Sequence, residues 1–292
     1  HHPANGKSSL AGWCVCLKAR AMKESTGLQL ISAYLAHILS VVAMVLTLVW
    51  AGNNSTSQGF LGGYDSEGTV VEKFNLHPVY MVASMIFLYS NALLSWRTIP
   101  VPHSTSKSLH ACLQTAALVL MGLGTKHAFE YANSSDGANL YTLHSWLGVL
   151  VVSLFSANYL GGIVVFANPY VDGATKGTYL PLHQYLGLIT FVLSAFQVLT
   201  GIQEYNLWLG ACDILVDQNE IDPAFQYHKM EKGCKVSNGL GIVVFLLTLT
   251  TLYATTDLQI GRTDQGKKGD YSEASNPIQV GLGFNDPQDE VL

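Results

Sequence analysis

Charge is what this chain has least of. Asp, Glu, Lys and Arg make up 12% of its 292 residues, against roughly 25% in an ordinary soluble domain. The charges are also bunched, and long windows hold none at all. That distribution argues against a water-soluble globule. Other things are missing too. No cleavable leader is expected, because the first apolar stretch is too long for an h-region and lacks a small-residue cleavage site close behind it. No internal repeat of roughly 20 to 50 residues stands out. No connection offers room for a soluble domain, and no nucleic-acid partner is expected.

What is present is a set of six apolar windows: Leu28–Trp50, His77–Trp96, Leu109–Thr125, Tyr141–Phe166, Leu182–Ile202 and Gly239–Tyr253, the last extendable to Leu258. Each approaches or exceeds the roughly 20 residues needed to cross a bilayer core. In lipid they must be helices, since a lone helix satisfies its own backbone polar groups. The expected fold is an all-α membrane protein with six transmembrane helices, helices 2–5 forming a central four-helix bundle. The expected organisation is an N-terminal cytoplasmic segment over 1–27, the membrane domain over 28–258, and a polar, Gly-rich cytoplasmic tail without structure over 259–292.

Orientation follows from the basic residues. With both termini in the cytosol, the inner side holds Lys7, Lys18, Arg20, Lys23, Arg97, Lys107, Lys176, Arg262, Lys267 and Lys268. The outer side holds Lys73, Lys126, Lys229, Lys232 and Lys235, the smaller group. The glycosylation sequons at Asn53, Asn54 and Asn133 then fall in outer loops. Cys212 and Cys234 share one outer loop, where an oxidising lumen permits a disulfide. Cys14 and Cys16 lie near the inner face, where thiols are open to palmitoylation. Cys112 reads as a small core residue, and Trp50, Trp96 and Trp146 as an interfacial aromatic belt.

Four of the ten histidines open apolar helices: His77 in "FNLHPVYM", His110 in "SKSLHACL", His144 in "LYTLHSWLG" and His183 in "YLPLHQYLG". Each is expected within about a turn of its helix start. Because successive helices alternate in direction, His77 and His144 share a depth near the outer face, and His110 and His183 share one near the inner face. Ionisable side chains inside a membrane point to function. Zinc takes four protein ligands, or three and a water, and no thiol or carboxylate accompanies either pair. Haem iron needs only two axial ligands, and two imidazoles close both axial positions, as suits electron transfer. Gly148 and Gly187, each four residues past a histidine, would let a flat macrocycle approach. His37, in mid-helix 1, has no partner at its depth and reads as an interhelical hydrogen bond.

These four motifs, with spacings of 33, 34 and 39 between the histidines, resemble cytochrome b561. The similarity runs from about Phe74 to Glu204 and on into helix 6. The resemblance implies two b haems per chain, bound by His77 with His144 and by His110 with His183. It implies one-electron transfer from cytosolic ascorbate to monodehydroascorbate or a ferric chelate on the far side, by a homodimer embedded in membrane lipid. Arg97, Lys107 and Lys176 match the inner ascorbate site, and Arg97 and His103 the surroundings of the inner haem. His103 or Lys107 is a candidate to take the ascorbate proton. Asn139, Leu140, Tyr141, Thr142 and Glu204 match positions around the outer haem. Where family members carry an outer-pocket histidine this chain has Ala132. The outer acceptor site is therefore assigned to His127, Phe129 and Tyr141, with His127 substituting from the preceding turn. The competing reading is a haemless transporter or scaffold that uses the histidines as a proton relay. Vesicle, endolysosomal, vacuolar and plasma membranes all fit.

Overall fold

The computed structural model describes residues 27–99, 101–134, 138–209, 212, 230–257 and 281–282. Cys14, Cys16 and nearly all of the tail lie outside the described residues. Six helices are long and apolar enough to cross a membrane: α1 (Gly27–Gly52), α2 (Val70–Thr98), α3 (His103–Ser134), α4 (Leu143–Ala167), α5 (Gly173–Leu209) and α6 (Lys232–Thr255). The protein is an all-α, six-span membrane protein. Among the described residues the only strand structure is a two-residue antiparallel pairing of Thr256–Asp257 with Gly281–Leu282. It joins a piece of the tail to the end of α6.

α1 and α6 pack on each other through small residues. Ala33, Ala36, Ser40, Ala43, Thr47 and Trp50 are buried on α1, recurring every three or four positions. Ser237, Leu240, Val244, Leu247, Thr251 and Ala254 answer them on α6. Small side chains let two backbones approach closely, which substitutes in lipid for the absent hydrophobic drive. His37 joins α1 to α2, its Nδ1 lying 2.6 Å from Asn91 Oδ1 and its Nε2 3.1 Å from Thr98 Oγ1.

The helices run past the apolar windows that revealed them. At about 1.5 Å per residue, the 32 residues of α3 outreach the hydrocarbon. One consequence corrects the sequence reading for two of the four histidines: His77, just past a break at Asn75, and His144 lie in the first turn of a helical segment, but the other two do not. His110 sits seven residues into α3 and His183 ten into α5. Both helices begin in polar sequence, "HSTSKS" and "GATKGT", which can still form helix where water or headgroups solvate it.

α2 is irregular. Thr69 and Glu72 form a reciprocal cap at its start, Glu72 N donating to Thr69 Oγ1 at 3.3 Å and Thr69 N to the Glu72 carboxylate at 2.6 Å. It pauses at Asn75, whose buried amide donates to the Leu61 and Gly63 carbonyls at 2.8 and 2.6 Å. That clamp holds the α1–α2 loop down on the bundle, helped by Tyr205, whose hydroxyl donates to Asn75 Oδ1. The loop turns at Gly62 and Gly63, with φ of 98° and 90°, conformations open to glycine and strained for other residues. Farther along, Ala83–Leu88 form a π-helical turn.

Two expectations about single residues fail. Trp50 is not part of an interfacial belt. It is 2% exposed, and its Nε1 donates to the Gly59 carbonyl at 3.1 Å, because the loop folds back over the end of α1. Cys112 is exposed on the outside of α3 rather than buried. Trp146 is 65% exposed, as an interfacial ring would be.

Candidate cofactor sites

The bundle places the four histidines in two pairs at opposite ends. His77 and His144 face each other with ring centroids 6.3 Å apart, and His110 and His183 with centroids 6.4 Å apart. Two imidazoles bound through nitrogen to one metal, with bonds of about 2 Å and roughly 1 Å more to each ring centre, span about 6 Å. Among the described residues no group of three or more His, Cys, Asp or Glu could hold a metal by protein ligands alone. The donor set fits an ion whose remaining positions are filled by a macrocycle.

Hydrogen bonds fix the tautomer of two rings. His77 Nδ1 donates to the Gly124 carbonyl at 2.8 Å, and His110 Nδ1 to the Ala92 carbonyl at 3.0 Å. A carbonyl only accepts, so Nδ1 carries the proton and Nε2 keeps the lone pair a metal needs. The two bonds are reciprocal, one from α2 to α3 and one from α3 to α2. Their offsets differ by one: Gly124 lies 14 residues after His110 and Ala92 lies 15 after His77. The π-helical turn in α2 falls inside the longer interval and absorbs the extra residue.

α4 and α5 repeat the same reciprocity. His144 lies against Gly201 of α5, and His183 against Gly162 of α4. A Cβ at those glycines would meet the imidazole Cε1 at 2.8 and 2.9 Å. Four residues before each glycine stands an amide. Gln197 Nε2 donates to the His144 carbonyl, and Asn158 Nδ2 donates to the His183 carbonyl at 3.2 Å. Gly148 and Gly187, expected to clear space for a macrocycle, instead admit these amides: their Cβ atoms would lie 3.1 Å from Gln197 and 3.4 Å from Asn158.

None of these partners was singled out from the sequence, although a signal was there. Leu143–Gly148 reads LHSWLG and Leu182–Gly187 reads LHQYLG, 39 residues apart. On that register Asn158 aligns with Gln197, and Gly162 with Gly201. The helices do carry an internal repeat, hidden because only a few interhelical contact positions are shared.

The two ends differ in their surroundings. Around His110 and His183 lies a cavity of about 460 Å³, lined by apolar residues such as Leu93, Phe155 and Leu188, with His103, Lys107 and Lys176 on its wall at the helix ends. Trp96 stands between two imidazoles, 5.3 Å from the ring of His103 and 5.7 Å from that of His110. Arg97 sits in the last turn of α2, outside the described lining of this cavity. Several lining groups have buried atoms without a hydrogen-bond partner: Gln114 Oε1, Asn158 Oδ1, His183 Nδ1 and Gln184 Nε2. An apolar slot with cations at one edge fits a porphyrin and its propionates.

The end holding His77 and His144 is more tightly tied. His77 stacks on Phe74 at 5.7 Å, and Phe74 on Tyr131 at 4.4 Å. Thr200 Oγ1 lies 3.1 Å from His144 Nδ1. It donates to the Gln197 carbonyl at 3.0 Å, and Gln197 Nε2 lies 2.9 Å from the same Nδ1. Thr142 caps α4 together with Ser145, and its hydroxyl also hydrogen-bonds Glu204. Leu140 adopts a left-handed φ of 57° beside it, uncommon for a branched residue. Asn139 Nδ2 donates to Asn133 Oδ1 at 2.7 Å. Tyr141 is 67% exposed. His127 is buried, with its ring 5.8 Å from that of Tyr80, whereas Phe129, two positions on, is exposed. Two residues turn a helix by about 200°, so His127 and Phe129 sit on different faces. Asn53 and Asn54 are exposed at this same end, which also carries the Cys212–Cys234 disulfide, with Cα atoms 5.7 Å apart and Cys234 buried.

Residues 76–209 match the family model described as eukaryotic cytochrome b561. Among similar proteins is the rice probable ascorbate-specific transmembrane electron transporter 2, 36% identical over 172 residues, covering 59% of this chain and 71% of that protein. The transmembrane ascorbate ferrireductase 1 of Arabidopsis thaliana is 35% identical over 172 residues, covering 59% and 70%. The human lysosomal membrane ascorbate-dependent ferrireductase CYB561A3 is 32% identical over 227 residues, covering 76% and 86%.

Proposed function

The chain belongs to the cytochrome b561 family, and from that premise we propose that it is a transmembrane oxidoreductase coupling ascorbate oxidation at one face to reduction of an acceptor at the other. The observation that carries this reading is the pair of imidazole pairs, 6.3 and 6.4 Å between ring centroids at opposite ends of one bundle. His77 with His144 and His110 with His183 would each hold one haem b, which would supply one-electron chemistry. The chain's part is to hold, space and feed these two centres.

His103, Lys107 and Lys176 line the donor cavity. The two ammonium groups attract the ascorbate monoanion and would neutralise the propionates of a bound haem at the cavity edge. Ascorbate leaves as monodehydroascorbate, one electron and one proton poorer. Imidazole is the side chain suited to take that proton near neutral pH, and His103 is the imidazole at the helix-end wall of this cavity. Arg97, at the same end of α2, adds positive charge to the face rather than to the cavity wall.

At the other end the acceptor, monodehydroascorbate or a ferric chelate, docks near the exposed Tyr141 and the α3–α4 loop. This face is luminal or extracellular. A disulfide and three exposed sequon asparagines at one end support that assignment, and glycans attach at Asn53, Asn54 and Asn133. A haemless proton relay would need a polar chain between the ends. Between the ends Tyr89, Phe155 and Phe191 pack edge to face, at 5.2 and 5.7 Å, and interrupt such a chain with their rings.

Reduced-minus-oxidised spectra of the purified protein test the reading. Two b-type components are expected, both reduced by ascorbate. A preparation without any b-type α-band would overturn it.

A further inference from the structure

The reciprocal packing of α4 and α5 leaves one unmatched position. At the His144 end, Gly201 backs the imidazole and the residue before it, Thr200, offers its hydroxyl to His144 Nδ1 at 3.1 Å. At the His183 end Gly162 backs the imidazole in the same way: a Cβ on either glycine would lie 3.4 Å from the respective Nδ1. The residue before Gly162 is Gly161, which has no hydroxyl to offer. Accordingly His183 Nδ1 is buried without a hydrogen-bond partner, alone among the four ring Nδ1 atoms.

The space of the missing side chain is filled from α5 itself. Tyr179, one turn before His183, lays its hydroxyl directly on Gly161, in contact with the point where a Cβ would stand. Its ring centroid is 6.2 Å from that of His183, and Phe166 flanks both rings at 5.7 and 5.2 Å. Glycine at 161 is therefore what lets the phenol enter. The phenol oxygen thus stands where the side chain of residue 161 would begin, beside His183 but without a hydrogen bond to its Nδ1.

We propose that Tyr179 is the positioning residue of His183, its hydroxyl turning from the Gly161 contact to accept from Nδ1–H the hydrogen bond that this structure leaves unmade, the counterpart of Thr200 beside His144. The inference rests on the haem-binding reading above, because it assigns His183 Nε2 to iron and Nδ1 to the proton. An acceptor on the far nitrogen raises the basicity of the ligating one and fixes the ring plane. A more basic imidazole stabilises the ferric state and lowers the potential of its centre. The two centres are thus tuned by different groups: an aliphatic hydroxyl at one end, and at the other a phenol on the helix that carries Lys176 three residues earlier.

The test uses full-length purified protein, redox titration of the two b components and their ferric low-spin electron paramagnetic resonance signals. Tyr179→Phe is expected to raise the potential and shift the g values of one component only. Thr200→Val should do the same to the other component. Gly161→Thr added to Tyr179→Phe should return the first component toward wild type, since the removed phenol oxygen leaves room for the threonine. Wild-type values for both components in Tyr179→Phe would overturn the proposal, as would a shift of the component that responds to Thr200→Val. Wild-type protein lacking two b components would overturn the underlying haem reading too, so the two failures are told apart.

Discussion

The two ends of the bundle hold the same pair of side chains in different ways. At the loop end His77 and His144 both have their Nδ1 atoms engaged, and the α1–α2 loop is pinned by Asn75 and Trp50. At the basic end His110 is tied to a carbonyl, His183 has only a neighbouring phenol, and a cavity of about 460 Å³ opens beside them. One end is stapled; the other keeps room and positive charge. A small anion that must enter, react and leave needs the second arrangement, while a rigid terminus needs the first.

Four groups of substitutions sharpen that contrast. The largest effect is expected from His110→Ala and His77→Ala, each removing one b component and leaving the other, measured as haem per chain falling from two to one. Next come Gly162→Leu and Gly201→Leu. A side chain there begins 2.9 or 2.8 Å from an imidazole carbon, so each should displace the histidine it faces and distort only that end's spectrum. Cys234→Ser should cost on the order of 3 kcal/mol through loss of the loop-closing bridge. It should lower the thermal midpoint in detergent while the basic-end spectrum at low temperature stays unchanged. The smallest is Lys107→Gln with Lys176→Gln, expected to raise the half-saturating ascorbate concentration about tenfold, or ~1.4 kcal/mol, while dithionite still reduces both components fully.

How much of this was legible beforehand depended on whether a feature follows from helix direction alone. The pairing of His77 with His144 and of His110 with His183 does, because alternating helices fix depth once the windows are found. Helix direction put Lys107 and Lys176 on the inner side, and the resemblance to cytochrome b561 assigned them to the ascorbate site. The supports were not. Gly162, Gly201 and Asn158 act across a helix interface, and their meaning depends on rotation about the helix axis, which apolarity all round does not reveal. The π-helical turn in α2 was hidden as well, since one additional residue leaves no mark on hydropathy. Trp50 was misread because a tryptophan at a helix end looks interfacial until a loop is known to fold over it. His127 and Phe129 were assigned to one outer pocket on the family resemblance, but helical geometry puts them on different faces of α3.

The central claim is that the two histidine pairs connect opposite faces of one membrane. Proteoliposomes loaded with ascorbate and given an impermeant ferric chelate outside test it most directly, with the outward-facing end established by protease accessibility. Wild-type protein should reduce the external chelate, and His77→Ala and His110→Ala should each abolish that reduction. Undiminished reduction in either variant would contradict the account.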